Sequence, residues 1–468
     1  LVFSSLIFLF LFLPAALLIY YLSPGKLKNA VLFAASLVFY AWGEPIYIVI
    51  MIFSTIFDYA NGLLIDKYRH RKPISRAVLI GSIGGNLAIL GFFKYAGFVI
   101  QNVNELFGLS LQAADLPLPI GISFYTFQTM SYIADVYRGK VPPQRNMINF
   151  GTYVAMFPQL VAGPIVKYGD IAKQLASRKV TLERFGEGAK WFIRGLVKKV
   201  LLANNIGMLW TSVKSTPLEE LSVLSAWLGI LAFTFQIYFD FSGYSDMARG
   251  LGKMFGFDLP QNFNYPYISR SVTEFWRRWH ISLGSWFREY VYIPLGGNRR
   301  GLRKQLRNLL IVWFLTGLWH GASWNFVVWG LYFGFIVTVE KLFLLKWLTR
   351  WPNWTGHLYT LLIVILGWVL FEYEHLPSAW AFIGTMFGLG AHEWVDRQAL
   401  YDLLTNGGLF VLLAICATPL PRKMVELVER RWNRGGVIVV TTFYTIGLIL
   451  STAYLVDESY NPFMYFRF

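Results

Sequence analysis

Leu309 to Val339 reads LLIVWFLTGLWHGASWNFVVWGLYFGFIVTV, with no Asp, Glu, Lys or Arg along its whole length. A helix needs about 20 mostly apolar residues to cross the hydrocarbon core of a bilayer. This stretch is long enough, and its middle carries one ionisable side chain, His320. Further charge-free blocks run from 1 to 25, 116 to 134, 146 to 166, 221 to 239, 351 to 371, 403 to 421 and 437 to 456, with shorter ones at 29–43, 45–57 and 77–93. Lipid cannot satisfy backbone polar groups, so helices are the default spanning element. The pattern predicts an all-α polytopic membrane protein with about ten to twelve spans, some of them short or re-entrant.

Composition agrees. Of 468 residues, 56% are hydrophobic, 18% aromatic and 15% charged, and the mean hydropathy is +0.47; soluble domains average about 25% charged residues. The first block lacks a basic leader and a small-residue cleavage site, and reads as a retained first span. The net charge of +16 sits in loops between spans, such as DKYRHRKPISR at 66–76 and RRGLRKQLR at 299–307. That distribution argues for cytoplasmic loops and contact with membrane lipid, not for nucleic acid. Placing the loops at 66–76 and 422–434 in the cytoplasm puts the tail, residues 457–468, on the outer face. With Cys416 as the only cysteine, no disulfide or cysteine-based zinc site exists within the chain. There is no HExxH, P-loop, dinucleotide or GxSxG pattern, so no metal and no permanently bound cofactor is expected. No linker divides the chain, which reads as a single membrane domain, 1–468. Its middle, about 117–339, mixes Gly, Pro, Asn, Gln, Ser and His into the apolar blocks. Such polar chain at membrane depth is tolerated where it lines a cavity or tunnel.

An ionisable group inside a span is a functional candidate by default. His320 lies in TGLWHGASWNFVVWG (316–330), and an imidazole exchanges a proton near neutrality. Continuous helical spacing places Thr316, His320 and Trp324 on one face, while Gly317 and Gly321 leave room for a ligand or another helix. A buried histidine bonded to a neighbouring helix is the structural alternative. His280 lies in TEFWRRWHISLGSWFREYVYIPLGG (273–297), where aromatic rings alternate with Arg277, Arg278 and Arg288. Arginines there suit the phosphates of an anionic donor; a salt-bridged interfacial helix is the plainer reading. Asp240 and Asp246 suit helix caps, a pair with Arg249, or polarisation of a group in the cavity.

These residues belong to a recognisable set. VFSSLIFLFLFLP (2–14), LPIGISFYTFQTMSYIADVYRG (118–139), MFPQLVAGPIVKY (156–168), FDFSGYSDMARGLGKMFGF (239–257), WRRWHISLGSWFREYVYIPLGGNR (276–299), GLWHGASWNFVVWG (317–330) and NPFMYFRF (461–468) occur in order. Together they resemble the membrane-bound O-acyltransferase (MBOAT) superfamily, in its bacterial alginate O-acetylation branch, near the peptidoglycan O-acetylation and D-alanyl transfer proteins. The resemblance implies a ring of helices around a thinned core, where a cytoplasmic tunnel meets an outward funnel. It places the superfamily histidine at His320 and the branch's second histidine at His280. It implies transfer of an acetyl group from acetyl-CoA, the acyl-donor substrate, to an exported polysaccharide, in a bacterial plasma (inner) membrane. An extracellular SGNH-hydrolase-like acetyltransferase is the implied partner. Within this reading His320 is the base, and Trp319, Trp324 and Asn325 line the substrate site, with indole N–H groups or Asn325 as oxyanion donors. Tyr465, in the aromatic tail, is a candidate acyl relay. A D-alanyl transferase drawing on a carrier-protein thioester, and a non-enzymatic polysaccharide transporter subunit, are the alternatives.

Overall fold

The computed structural model describes residues 2–112 and 116–457. Among these residues the regular elements are helices, with no strand. Among the described residues seven helices are long and apolar enough to cross a bilayer: Ile48–Lys67, Lys72–Phe107, Val223–Met254, Trp324–Leu348, Asn353–Glu372, Arg397–Cys416 and Gly435–Asp457. The protein is a multi-pass membrane protein. Shorter helices hold much of the remaining apolar sequence, as Ile122–Tyr137 and Met147–Ala155 do. The chain packs as two compact units, one comprising Leu1–Phe192 with Ser245–Gln261, the other Ile193–Tyr244 with Asn262–Phe468.

In the first unit Phe8, Phe12, Phe39 and Phe157 pack ring against ring, with centroids 5.4–6.2 Å apart. Hydrogen bonds tie the spanning helices where hydrophobic sorting cannot, because lipid is as apolar as the side chains it would replace. Buried Asp58, on Ile48–Lys67, accepts from Ser82 Oγ at 2.6 Å and Asn86 Nδ2 at 2.9 Å, both on Lys72–Phe107. Gly121, just before the 122–137 helix, has φ +77°, and a Cβ there would lie 2.7 Å from the Leu160 carbonyl oxygen. Only glycine meets both conditions.

The block at 146–166 does not form one span. It breaks into Met147–Ala155 and Phe157–Leu160, with Met156 at ψ 110°. Pro158 is the reason. It has no N–H to donate and its ring would strike the carbonyl four residues back, so one helix stops and another restarts with proline in its first turn. Gln159 Nε2 reaches the Tyr153 carbonyl at 2.5 Å, satisfying an acceptor the break leaves open.

In the second unit Lys199, on a wide turn at Lys198–Asn204, meets Asp240 of the 223–254 helix at 2.6 Å, and both side chains are buried. The Arg249 guanidinium lies 4.3 Å from the centre of the Trp191 ring. Neither Asp240 nor Asp246 caps a helix start, since both fall well inside Val223–Met254. The charge-free block at 309–339 folds as a hairpin of two helices, Leu302–His320 and Trp324–Val339. Large apolar side chains on Arg397–Cys416 point outward, Leu404 at 82% exposure among them, as a lipid-facing span requires.

Candidate functional site

The hairpin is built on absent side chains. A Cβ on Gly317 would lie 2.3 Å from the Phe326 carbonyl oxygen, and one on Gly330 would lie 2.4 Å from that of Trp313. The two backbones therefore touch, and the space beside His320 that the glycines open is taken by the second helix. The first helix ends at His320. Gly321 is extended, with φ −165° and ψ 159°, and a Cβ there would overlap the Phe326 ring. Trp324 opens the next helix and is 54% exposed. The expectation that Thr316, His320 and Trp324 share a helical face is thus corrected: the helix ends between the second and third of them. Thr316 spends its hydroxyl on the Val312 carbonyl of its own helix at 2.7 Å.

His320 is 5% exposed and is held by aromatic rings. Its centroid lies 4.9 Å from Trp329, 5.1 Å from Trp319, 5.2 Å from Phe371 and 6.5 Å from Phe326. Three of these contacts are edge-to-face, the arrangement that the aromatic quadrupole favours. The imidazole sits at the carbonyl end of a helix, where the helix dipole places partial negative charge.

Trp319 also touches the second histidine, with the His280 ring centroid 5.8 Å away. His280 and His320 thus contact the same indole, although 40 positions separate them in sequence. His280 forms the corner between the short helices Val272–Arg278 and Ile281–Phe287 and has φ +45° and ψ 53°, a left-handed conformation. That backbone costs a non-glycine residue roughly 1–2 kcal/mol and must be held from outside. Asn262 holds it. Its main-chain carbonyl accepts from Ile281 N at 3.0 Å. Its side-chain Oδ1 lies 3.1 Å from His280 Nδ1 and accepts from Ser282 N at 3.1 Å and Ser282 Oγ at 2.9 Å. Phe241 closes over the ring at 4.9 Å. Burial pushes the His280 pKa down, so the ring is neutral.

The helix leading into this corner is anchored by a carboxylate that the sequence reading did not single out. Glu340, fully buried, accepts from Val272 N at 2.7 Å, Thr273 N at 2.8 Å and Thr273 Oγ1 at 2.5 Å. A negative charge on the exposed N–H groups of a helix start is favourable in both hydrogen bonding and dipole. Asn262 and Glu340 lie 18 and 60 residues from His280, so no local spacing announces either. The one available signal for Glu340 is an isolated acid closing a long apolar run.

The arginines divide. Arg278 is turned to Glu274, its Nη2 2.8 Å from Oε1, and Nη1 donates to the Asn264 carbonyl at 3.1 Å. Arg277 and Arg288 are exposed. Asn325 is buried, with Nδ2 3.4 Å and 3.3 Å from the carbonyls of Leu370 and Phe371 at the end of the 353–372 helix. Tyr465 lies outside the described residues. Among the described residues no group of His, Cys, Asp and Glu side chains is arranged to hold a metal ion.

Comparison with known proteins identifies the family. Residues 142–371, which include Asn262, His280, His320 and Phe371, match the model of the membrane-bound O-acyltransferase family. The chain is 40% identical to the probable alginate O-acetylase AlgI of Pseudomonas putida, over the full length of both. It is 34% identical to the peptidoglycan O-acetyltransferase of Helicobacter pylori over 83% of this chain and 80% of that one. It is 26% identical to the teichoic acid D-alanyltransferase of Bacillus subtilis over 54% of this chain and 68% of that one. The family match over residues 142–371 and the full-length likeness to an O-acetylase together place the chain in the membrane-bound O-acyltransferase family, as an O-acyltransferase.

Proposed function

We propose that the protein moves an acetyl group from acetyl-CoA on the cytoplasmic side of a bacterial inner membrane to a hydroxyl presented from outside, for O-acetylation of an exported or cell-envelope polysaccharide. The observation that carries this reading is His320, an imidazole buried in aromatic rings at the break between two closely packed helices. The names of the relatives supply the acyl group and the acceptor class: two of them are an alginate O-acetylase and a peptidoglycan O-acetyltransferase.

The chemistry follows from separation of the reactants. Acetyl-CoA is highly charged and does not enter lipid, whereas the polymer lies outside. A protein tunnel that admits the thioester arm lets the two meet. Arg277 and Arg288, both exposed, are the cations of this segment positioned for the phosphates, and basic loops raise the local donor concentration. The neutral imidazole of His320 takes the proton of the attacking hydroxyl as its oxygen bonds to the thioester carbonyl carbon. The tetrahedral oxyanion is met by donors such as an indole N–H. It collapses with cleavage of the C–S bond, and the departing thiolate takes the proton from the imidazolium. Base catalysis of this kind is worth roughly 10²–10⁴-fold. In the outward-facing tail Tyr465 is the first acceptor: its phenol oxygen carries the acetyl group as an ester to an extracellular SGNH-type transferase, splitting one long transfer into two.

Purified protein in nanodiscs, given radiolabelled acetyl-CoA or a carrier-protein D-alanyl thioester, tests the donor. Label from acetyl-CoA is expected on protein or polymer, and His320→Ala is expected to lose it by roughly 10²–10⁴-fold. Label accepted only from the D-alanyl thioester would replace the acetyl reading. Full polymer acetylation by His320→Ala would remove His320 from the chemistry and leave a transport role. Tyr465→Phe keeps the ring and deletes the nucleophile, so normal polymer acetylation by that variant ends the relay.

A further inference from the structure

The hydrogen bonds around Asn262 fix more than a loop. A side-chain amide can be turned either way, and its neighbours decide which. Here one neighbour leaves no choice. The backbone N–H of Ser282 can only donate, and it lies 3.1 Å from Oδ1 of Asn262. Turning the amide over would set Nδ2–H against that N–H, donor against donor, inside a residue that is 1% exposed. The Ser282 hydroxyl at 2.9 Å adds a second donor to the same oxygen. Oδ1 is therefore the atom facing His280, and it is an acceptor only. His280 Nδ1, 3.1 Å away, must carry the hydrogen.

We propose that Asn262 is a positioning residue that locks His280 as its Nδ1–H tautomer, so that the neutral ring presents Nε2 as a hydrogen-bond acceptor to an N–H or O–H group of a substrate. This rests on the proposed acyl-transfer site, of which His280 is the second histidine. Burial of the ring supports the neutral form. The same residue grips the backbone, because its own carbonyl binds Ile281 N–H at 3.0 Å. One asparagine therefore sets both the left-handed turn at His280 and the chemical state of the ring. The two histidines thereby divide the labour: His320 takes up and returns the proton, and His280 remains uncharged and orients a substrate group. Fixing the tautomer through the far ring nitrogen is a general way to set the role of the near one.

Two readouts test this separately. The first needs no turnover. Protein labelled with ¹⁵N-histidine, in nanodiscs, is compared with His280→Gln to find the His280 resonances. A protonated Nδ1 and a bare Nε2 at neutral pH are expected; an Nε2–H tautomer or a charged ring overturns the proposal. The second is acetyl transfer. Asn262→Ala is expected to lose roughly 10–100-fold in kcat, with a smaller change in KM, the range found when a group that orients a reacting side chain is removed. Asn262→Asp keeps the acceptor oxygen and is expected to recover most of that loss, and Ser282→Ala, which keeps the backbone N–H, to stay near wild type. Equal, complete loss in Asn262→Ala and Asn262→Asp, with the resonances unchanged in both, makes Asn262 merely structural and overturns the proposal. If instead His280→Gln turns over normally while the resonances are as expected, it is the placement of His280 in the site that has failed, and the positioning role falls with it.

Discussion

Gly330→Ala tests whether backbone contact in the hairpin positions His320. The added Cβ would lie 2.4 Å from the Trp313 carbonyl oxygen and 3.1 Å from both Cα and N of Gly317. All three are backbone atoms, so no side chain can turn aside. Restoring an ordinary contact of 3.4 Å to the carbonyl requires the helices to part locally by 3.4 − 2.4 = 1.0 Å. Overpacking of this kind costs about 1–3 kcal/mol. The displacement also falls on Trp329, which adjoins Gly330 and lies 4.9 Å from His320. A misplacement of about 1 Å in a reacting group can cost on the order of 10²-fold in rate. Gly330→Ala should therefore lower both thermal stability, followed by tryptophan fluorescence in nanodiscs, and acetyl transfer. Gly334→Ala is the comparison: its Cβ would meet the Trp313 side chain at 2.9 Å rather than fixed backbone, and should cost less in both stability and turnover. Wild-type stability and turnover in Gly330→Ala would refute the claim that this contact sets the site.

Further outcomes follow from buried charge. Glu340→Ala strips the acceptor from Val272 N–H, Thr273 N–H and Thr273 Oγ; it should destabilise the protein by about 2 kcal/mol or more, read by chemical denaturation, and Glu340→Gln should cost less. Lys199→Met removes the cation facing Asp240 and should cost about 3–5 kcal/mol, whereas the double variant Lys199→Met/Asp240→Leu should recover most of it; equal loss in both would mean that the pair does not act as a unit. His280 has a lowered pKa in the fold, so below about pH 6.5 the unfolded chain binds a proton that the folded ring does not. Its contribution to stability is therefore full above that pH and is lost progressively as pH falls below it. Thermal midpoints between pH 7 and 4 should fall more steeply for wild type than for His280→Gln.

The membrane class, and much of the span placement, follow from local sums that a sequence displays directly. An apolar run of sufficient length partitions into lipid whatever its neighbours are, so the blocks at 351–371, 403–421 and 437–456 fall on the helices Asn353–Glu372, Arg397–Cys416 and Gly435–Asp457 with small shifts at the ends. His320 was legible for the same reason, as one titratable group in a charge-free block, and the ordered motifs pointed to the family. The hairpin break was not legible from hydropathy, because GASW carries no charge and is too short to interrupt a 31-residue charge-free run. It depends on Gly317, Gly321 and Gly330 meeting the opposing helix at distances that only the folded backbone sets. The left-handed turn at His280, its support from Asn262, the carboxylate of Glu340 beneath the same helix, and the pairing of Lys199 with Asp240 are likewise decisions of the tertiary structure. Hydropathy adds along the chain and can be summed from the sequence. A hydrogen bond or ion pair depends on angstroms between residues that are tens of positions apart, and those distances exist only once the helices have packed.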